Sequence, residues 1–400
     1  MKRLLIILIF VLPLCLLSCA APSGGTSDTS GTPATDTDAP GDETTAAETT
    51  AADTEPETPE EGNSLYKYYE NDFKIGVALP DSVFSSFKKY SDVILDNFNS
   101  FTCENEMKPD YILDRAATIA DVEGNYTSPK VKFDAPSKAV KKAVESGVGM
   151  RLHTLVWHAQ TPAWFFTEDY TDNGALVSRE VMLQRMESYI KQVLEYYNEN
   201  YPGLVYAVDV VNEAFDVGDG DANGIRQKNN KWYDTIGPDY VYWAFYYARQ
   251  YAPEGVSLFY NDYACMWKID LILNNLKKVK DEGLIDGIGM QSHLSITDSV
   301  SSFVNAIKRF AEAGYEIQLT ELDVGMKEAT EENFGKQEKF YRSLMKQVQK
   351  LRRDGTNITS VTVWGLSDEL TWRRGESPLL LNADLSPKPA YYGFLQSDNK

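Results

Sequence analysis

The amino-acid sequence predicts an α/β protein built as a single (β/α)8 barrel, the TIM-barrel architecture, preceded by a disordered acidic linker. From residue 65 onward, eight short apolar segments alternate with longer amphipathic segments. This alternation is typical of parallel strands joined by helices, and eight repeats of it can close a barrel. The chain of 400 residues accommodates one barrel of about 250 residues or more with additional segments.

The predicted strands are short runs rich in β-branched residues, which favour strands buried within a parallel sheet. They lie at residues 74–80, 99–105, 149–158, 206–214, 257–263, 287–293, 316–324 and 360–368. The clearest predicted helices lie between them, at residues 180–200, 240–251, 269–282, 300–313 and 340–353. A glycine follows several helix-like segments, where a left-handed residue ends a helix, and these are Gly147, Gly283, Gly314 and Gly355.

The N-terminus predicts an exported protein. Lys2 and Arg3 precede an apolar run that is too short for a stable membrane span. The run ends in Leu-Leu-Ser-Cys, which resembles a bacterial lipobox, so residues 1–18 are interpreted as a lipoprotein signal and Cys19 as the lipidated residue. We therefore expect a lipid anchor at the extracellular face of a bacterial membrane. The alternative is an ordinary cleaved signal and a secreted protein.

Residues 19–64 form a Thr-, Asp-, Glu- and Pro-rich segment that is predicted to be a disordered tether, because it holds too few large apolar side chains to offset the entropy of ordering. Residues 65–398 are then the folded domain. The net charge of −20 and the absence of a basic patch exclude a nucleic-acid-binding class. Cys103 and Cys265 follow strands that are not neighbours in a barrel, and we expect two free thiols.

Two glutamates carry most of the functional information. Glu213 ends the fourth predicted strand and Glu321 ends the seventh. Side chains at the C-terminal ends of barrel strands face the active site. A facing pair of carboxyl groups is typical of a glycoside hydrolase, and a separation of about 5–5.5 Å allows direct attack with retention of configuration.

Other polar and aromatic residues, including all three histidines of the chain, also cluster at the ends of predicted strands. These residues are His153, His158, His293, Glu104, Asn105, Lys108, Trp157, Asn212, Tyr263, Gln291, Asp323, Trp364 and Trp372. A zinc site is not predicted, since no His or Cys pair has the spacing of a metal motif. Residues 219–224 resemble the first half of a calcium-binding loop, but Asn230 stands where the bidentate Glu belongs. We interpret them as the loop after the fourth strand and expect no metal.

Six motifs, in order along the chain, resemble glycoside hydrolase family 10, the endo-β-1,4-xylanases. They are ENEMKPD (104–110), HTLVWHAQTPAW (153–164), DVVNEAF (209–215), GIGMQSH (287–293), LTELDV (319–324) and VTVWGLSDELTW (361–372). The resemblance runs from about residue 65 to residue 396. Pro80, Cys103 and Ala159 depart from the family pattern without removing a catalytic group.

The resemblance implies a role for each matching residue. Glu213 would be the acid/base and Glu321 the nucleophile, with Asn212 bonding the sugar 2-hydroxyl and His293 lying between Glu321 and Asp323. The residues implied in substrate binding are Glu104, Asn105, Lys108, His153, Trp157, Gln291, Tyr263, Trp364 and Trp372.

The implied partners are xylan and xylo-oligosaccharides, with no cofactor and a monomeric chain. One alternative is a retaining β-1,4-glucanase or mixed-linkage glucanase on the same barrel, which differs in whether the cleft tolerates a hydroxymethyl group. A second alternative is a catalytically inactive, glycan-binding surface lipoprotein. That alternative would be expected to lack Glu213, Glu321 or His293, and all three are present.

Overall fold

Eight parallel strands close into a barrel, as the sequence predicts. The structure is a computed structural model that describes residues 64–396, and the predicted signal and Cys19 lie outside the described residues. Neighbouring strands in the barrel follow the order β10-β1-β2-β3-β5-β6-β7-β9, and β9 pairs with β10 to complete the ring. The strands are β1 (Lys74–Leu79), β2 (Ser100–Cys103), β3 (Gly149–Leu152), β5 (Val205–Asn212), β6 (Ser257–Asp262), β7 (Gly287–Met290), β9 (Glu316–Gly325) and β10 (Ile358–Val363).

Two predicted strands are each divided, which corrects the predicted spans 149–158 and 287–293. The third strand ends at Leu152 and the chain turns around Asp209, whose backbone oxygen accepts bonds from the Leu155 amide and the Thr154 hydroxyl. A short strand β4 (Val156–Trp157) then rejoins β5. The sixth strand ends at Met290, and β8 (His293–Ser295) pairs beside the end of β9.

Helices surround the barrel within the described range. They are α1 (Leu65–Tyr68), α2 (Asp81–Ser85), α3 (Phe87–Asn97), α4 (Pro109–Ile112), α5 (Arg115–Ile119), α6 (Ser137–Ser146), α7 (Arg179–Asn200), α8 (Lys231–Ile236), α9 (Tyr240–Tyr251), α10 (Ile269–Asp281), α11 (Val300–Glu312), α12 (Glu331–Arg353) and α13 (Pro389–Phe394). Three short 3-10 helices lie at Ala163–Phe166, Cys265–Trp267 and Asp368–Leu370. In the part of the chain that the structure describes, no helix is long and apolar enough to cross a membrane.

The residues at the ends of several helices explain where those helices begin or end. Gly147, Gly283, Gly314 and Gly355 adopt φ of 65°, 68°, 81° and 102°, which confirms the predicted left-handed ends. Helix α12 begins nine residues before its predicted start at residue 340, because the Thr330 hydroxyl caps it by accepting a bond from the Asn333 amide. The first turns contain mainly polar residues, with Phe334 as their one large apolar side chain, so the apolar periodicity does not show them.

The barrel interior below the cleft contains a buried ion pair. Arg151 on β3 contacts both carboxylate oxygens of Asp209 on β5 and donates to Gln318 Oε1 at 3.0 Å. All three side chains are almost completely inaccessible to solvent. Cys103 and Cys265 are buried and free, as predicted. The ion pair of Arg151 and Asp209 therefore joins β3 and β5 directly beneath the residues at the ends of those two strands.

Candidate active site

A cavity of about 540 Å³ opens at the C-terminal ends of the barrel strands. Two further stretches that the sequence did not single out contribute to it, the 3-10 helix at Cys265–Trp267 and the start of α11. The sequence-predicted residues that line the cavity are Glu104, Asn105, Lys108, His153, Trp157, Asn212, Glu213, Tyr263, Gln291, His293, Glu321, Trp364 and Trp372. Asp323 is completely buried and lies behind the residues that line the cavity.

Glu321 lies at the end of β9 and is held by two donors. Asn261 Nδ2 donates to its Oε1 at 2.7 Å, and His293 Nε2 lies 3.2 Å from its Oε2. Burial raises the pKa of Glu321, but the hydrogen bond from His293 and the charges of His153 and His293 outweigh it and lower the pKa to about 2. Glu321 is therefore an ionised carboxylate at neutral pH.

His293 links Glu321 to a second carboxylate. Its Nδ1 lies 3.0 Å from Asp323 Oδ2, while its Nε2 faces Glu321. Burial lowers the pKa of His293, but the charge and hydrogen bond of Asp323 and the contact with Glu321 raise it to about 10. The imidazole is therefore a cation between two anions, and both of its nitrogens donate.

Glu213 follows the end of β5 and has neutral partners. Trp157 Nε1 donates to its Oε2 at 3.1 Å, and Gln291 Nε2 donates to its Oε1 at 2.8 Å. Its backbone adopts φ of 53°, and this left-handed turn is secured by a bond from its amide to the Asn261 oxygen and by Arg226 Nε on its carbonyl oxygen. The turn directs the carboxyl group into the cavity.

Asn261, at the end of β6, connects the two glutamates through a chain of amides. A carboxylate only accepts hydrogen bonds, so the atom that Asn261 presents to Glu321 is its Nδ2. The same Nδ2 lies 2.9 Å from the side chain of Asn212, which must therefore present Oδ1 and turn its Nδ2 toward Glu213, 3.3 Å away. The network fixes how Asn212 faces the space between Glu213 and Glu321.

One wall of the cavity combines aromatic rings with a buried lysine. Lys108 Nζ donates to Asn105 Oδ1 at 3.1 Å and to Gln160 Oε1 at 2.9 Å, and it lies 5.0 Å from the centre of the Trp157 ring. Burial lowers the pKa of Lys108, and burial raises the pKa of neighbouring Glu104. These groups can bond several hydroxyl groups of a neutral ligand.

Three aromatic residues cover the same wall nearer Glu321. His153 Nδ1 lies 2.9 Å from Asp209 Oδ2, and its ring meets the Trp364 ring edge-on at 5.4 Å. The Trp372 ring lies 4.9 Å from the His293 ring and is 55% exposed. Flat apolar surfaces beside polar groups suit the faces and edges of sugar rings.

The opposite wall contains residues that the sequence did not single out. Besides Tyr263, which was predicted, it includes Met266, Trp267, Leu294, Asp298 and Phe303. Trp267 is 74% exposed, although a large aromatic side chain is usually covered. The sequence signal is an aromatic residue soon after the fifth barrel strand along the chain, but nothing local indicates that the 3-10 turn directs it into the cavity.

His158 does not line the cavity, which corrects the prediction that all three histidines belong to the site. It follows β4, and burial with the charge of Arg226 lowers its pKa to about 4. The loop at residues 219–224 also has other uses, since Asp219 pairs with Arg226 and Lys228. In residues 64–396 no group of three or more His, Cys, Asp or Glu side chains is arranged to hold a metal ion.

A closed parallel barrel with two carboxyl groups facing one cavity at its C-terminal end defines a class of protein, the glycoside hydrolases. The chain belongs to one family of that class. It matches glycosyl hydrolase family 10 over residues 64–397, which is most of its length.

Several enzymes and solved structures are similar to the chain. The chain is 40% identical over 344 residues to endo-1,4-beta-xylanase B of Butyrivibrio fibrisolvens, covering 84% of this chain and 53% of that protein. The chain therefore spans about half the length of this relative. The CBM22-1–GH10 modules of xylanase 10B from Clostridium thermocellum, complexed with xylohexaose, are 34% identical with a TM-score of 0.76, covering 83% of this chain and 67% of theirs. TsXylA from Thermoanaerobacterium saccharolyticum, complexed with xylotriose, is 34% identical with a TM-score of 0.74, covering 84% and 99%.

Proposed function

We propose that the protein is an endo-1,4-β-xylanase that hydrolyses internal β-1,4-xylosidic bonds of xylan and retains the anomeric configuration. The observation that carries the proposal is the pair Glu213 and Glu321, which share one cavity but differ in their partners. A charged imidazole contacts Glu321, whereas neutral indole and amide groups contact Glu213. Family membership and relatives described as xylanases, two of them with bound xylo-oligosaccharides, support xylan as the substrate.

In the first chemical step, Glu321 is the nucleophile and Glu213 the general acid. The ionised Glu321 oxygen forms a bond to the anomeric carbon as the glycosidic bond breaks. Glu213 gives a proton to the departing oxygen, so the leaving chain departs as a neutral alcohol. His293 and Asn261 hold Glu321 in a fixed orientation, which lowers the cost of reaching the attack geometry.

In the second step Glu213 acts as a general base. It takes a proton from water, whose oxygen attacks the anomeric carbon of the glycosyl ester and releases Glu321 as a carboxylate. Two inversions give net retention. Asn212 lines the cavity beside Glu213 and is joined to Glu321 through Asn261, and its amide can bond the 2-hydroxyl of the sugar undergoing reaction. This is the position at which such a bond strengthens in the transition state.

The substrate preference is tested by comparing turnover of linear xylan oligomers with cellulose oligomers of equal length. The proposal expects kcat/KM for the xylan oligomer to exceed that for the glucan oligomer by about tenfold or more, because a misplaced hydroxymethyl group costs about 1–3 kcal/mol in a closed pocket. Equal turnover of both, or faster turnover of the glucan, would instead favour the glucanase alternative. Binding of both without turnover would favour an inactive glycan-binding protein.

We also propose that the protein is a lipoprotein anchored through Cys19 at the extracellular face of a bacterial membrane. The support is the sequence alone, a charged start followed by an apolar run and Leu-Leu-Ser-Cys. Cys19→Ser is expected to move xylanase activity from the membrane fraction to the soluble fraction. Cys15→Ser, in the same apolar run, is the matched control and should leave the distribution unchanged. An unchanged Cys19→Ser distribution would contradict the anchor.

A further inference from the structure

Asp323 is a buried carboxylate that accepts hydrogen bonds from three residues in two segments of the chain. Its Oδ2 receives His293 Nδ1 at 3.0 Å and Trp372 Nε1 at 3.1 Å, and its Oδ1 receives Arg373 Nη1 at 2.5 Å. The three donors come from β8 and from two consecutive residues of the loop after β10. Asp323, which supports the proposed nucleophile through His293, therefore also holds the loop that contains Trp372 and Arg373.

Arg373 is built into this position from several sides. The same Nη1 donates to the Leu294 backbone oxygen at 2.8 Å, and Nη2 donates to Glu376 at 2.6 Å. Gly325 makes room for the guanidinium, because a Cβ there would lie 2.4 Å from Nη2. The arginine side chain is only 13% exposed.

The charges around the two carboxylates come from several elements. The groups that face Glu321 or Asp323 are Lys108 after β2, His153 after β3, Glu213 after β5, His293 on β8, Tyr341 on α12, and Arg373 with Glu376 in the loop after β10. The cations that contact the pair directly are His293 and Arg373. The side chain of Glu376 is 45% exposed, so water screens its charge. Two anions and two cations thus balance within this buried set.

We propose that Arg373 is a positioning residue for the reaction, which acts through Asp323 to balance the buried carboxylate pair and to hold Trp372 against His293. The inference rests on the proposed role of Glu321. Within residues 64–396, loss of the guanidinium charge leaves His293 as the only cation in direct contact with Glu321 and Asp323. A buried cluster with excess negative charge takes up a proton more readily. The groups of this cluster titrate together, so the apparent pKa is a property of the whole cluster. That apparent pKa must then rise.

The proposal separates two effects of Arg373. Its charge controls the acid limb of the pH profile of kcat/KM, since a protonated Glu321 cannot attack. Its forked contact controls the position of Trp372 and hence KM for substrate. Arg373→Gln removes the charge, Arg373→Lys keeps the charge without the fork, and Trp372→Phe keeps a ring but lacks the N–H that Asp323 accepts.

The experiment measures kcat and KM on xylotetraose from acid to neutral pH for the full chain and the three variants. Arg373→Gln is expected to move the acid limb to higher pH by about one unit. Arg373→Lys and Trp372→Phe are expected to keep the limb within about 0.3 unit of the parent and to raise KM several-fold. A limb for Arg373→Gln that coincides with the parent, or equal shifts for Gln and Lys, would overturn the proposal.

Two checks keep the result interpretable. Circular dichroism and thermal unfolding establish whether each variant is folded. If Arg373→Gln is not folded, Arg373→Lys alone decides. A shifted acid limb in this variant, which keeps the charge, would contradict the proposed role of the Arg373 charge. Failure of the proposed function would look different. The parent would then not hydrolyse xylotetraose at any pH, whereas failure of this inference leaves an active parent with unresponsive variants.

Discussion

Glu213 and Glu321 are the same residue type, but their side chains have different neighbours. His293 contacts Glu321 as a cation, while Trp157 and Gln291 offer Glu213 only neutral donors. A charged partner stabilises a carboxylate more than a neutral one, and this contact with His293 holds the pKa of Glu321 below its ordinary value. This difference supports the proposed assignment of Glu321 as the nucleophile and Glu213 as the acid.

Glu213→Gln tests the acid role. The amide cannot supply a proton, so turnover of xylan should fall by about 10²–10⁴-fold, whereas an aryl xylobioside with a good leaving group should lose far less in its first step. Single-turnover measurements on both substrates would compare the glycosylation steps. Equal losses on the two substrates would argue against Glu213 as the acid.

The ionisation of Glu321 and His293 gives the site a defined pH window. The pKa of Glu321 falls from 4.5 to about 2 on folding, so the stability that its ionisation contributes is present above about pH 4.5 and is lost as pH falls toward 2. The pKa of His293 rises from 6.5 to about 10, so its contribution is complete below about pH 6.5 and is lost as pH rises through 10.

Asn261→Asp tests this electrostatic account at a residue that the sequence did not assign to the site. A second carboxylate against Glu321 should raise the pKa of Glu321 and move the acid limb of kcat/KM upward by about one pH unit. Asn261→Ala removes the same hydrogen bond without adding charge and is the matched control. A similar limb in the Asp and Ala variants would show that charge at this position is not what matters.

At the scale of elements, the ends of the strands position the side chains of the site, and breaks in the strands adjust those positions. The sequence predicts that β5 and β9 carry the glutamates, because their apolar runs end in them. It does not predict that β8 separates from β7, although that break brings His293 beside Asp323. The break depends on pairing with the end of β9, a contact between distant residues that local periodicity does not report.

The buried pair of Arg151 and Asp209 should stabilise the barrel beneath the cleft. Arg151→Met removes the guanidinium that contacts both oxygens of the buried Asp209 carboxylate and should cost about 3–5 kcal/mol of unfolding free energy. Arg179→Met, which breaks the exposed pair with Asp239, is the control and should cost about 1 kcal/mol or less. Chemical denaturation measures both, and equal losses would contradict the importance of burial.

At the scale of the whole molecule, the sequence predicts the architecture and one half of the cavity. Eight alternating units and six ordered motifs are enough for the closed barrel and for the wall that contains Lys108, Trp157 and Trp364. The other wall, with Trp267 and Phe303, could not be predicted, because it forms where a 3-10 turn and the start of α11 meet across the mouth. The sequence likewise does not show that Arg373 reaches back to Asp323, since this contact spans 50 residues.

The stereochemistry of hydrolysis tests the central claim most directly, because it depends on the joint action of both glutamates. Proton NMR of xylotetraose during the first minutes of hydrolysis reports which anomer forms before mutarotation. Attack by Glu321 followed by attack of water predicts β product first, with α appearing only as the solution equilibrates. An initial α product would mean a single displacement by water, and would contradict the assignment of Glu321 as nucleophile.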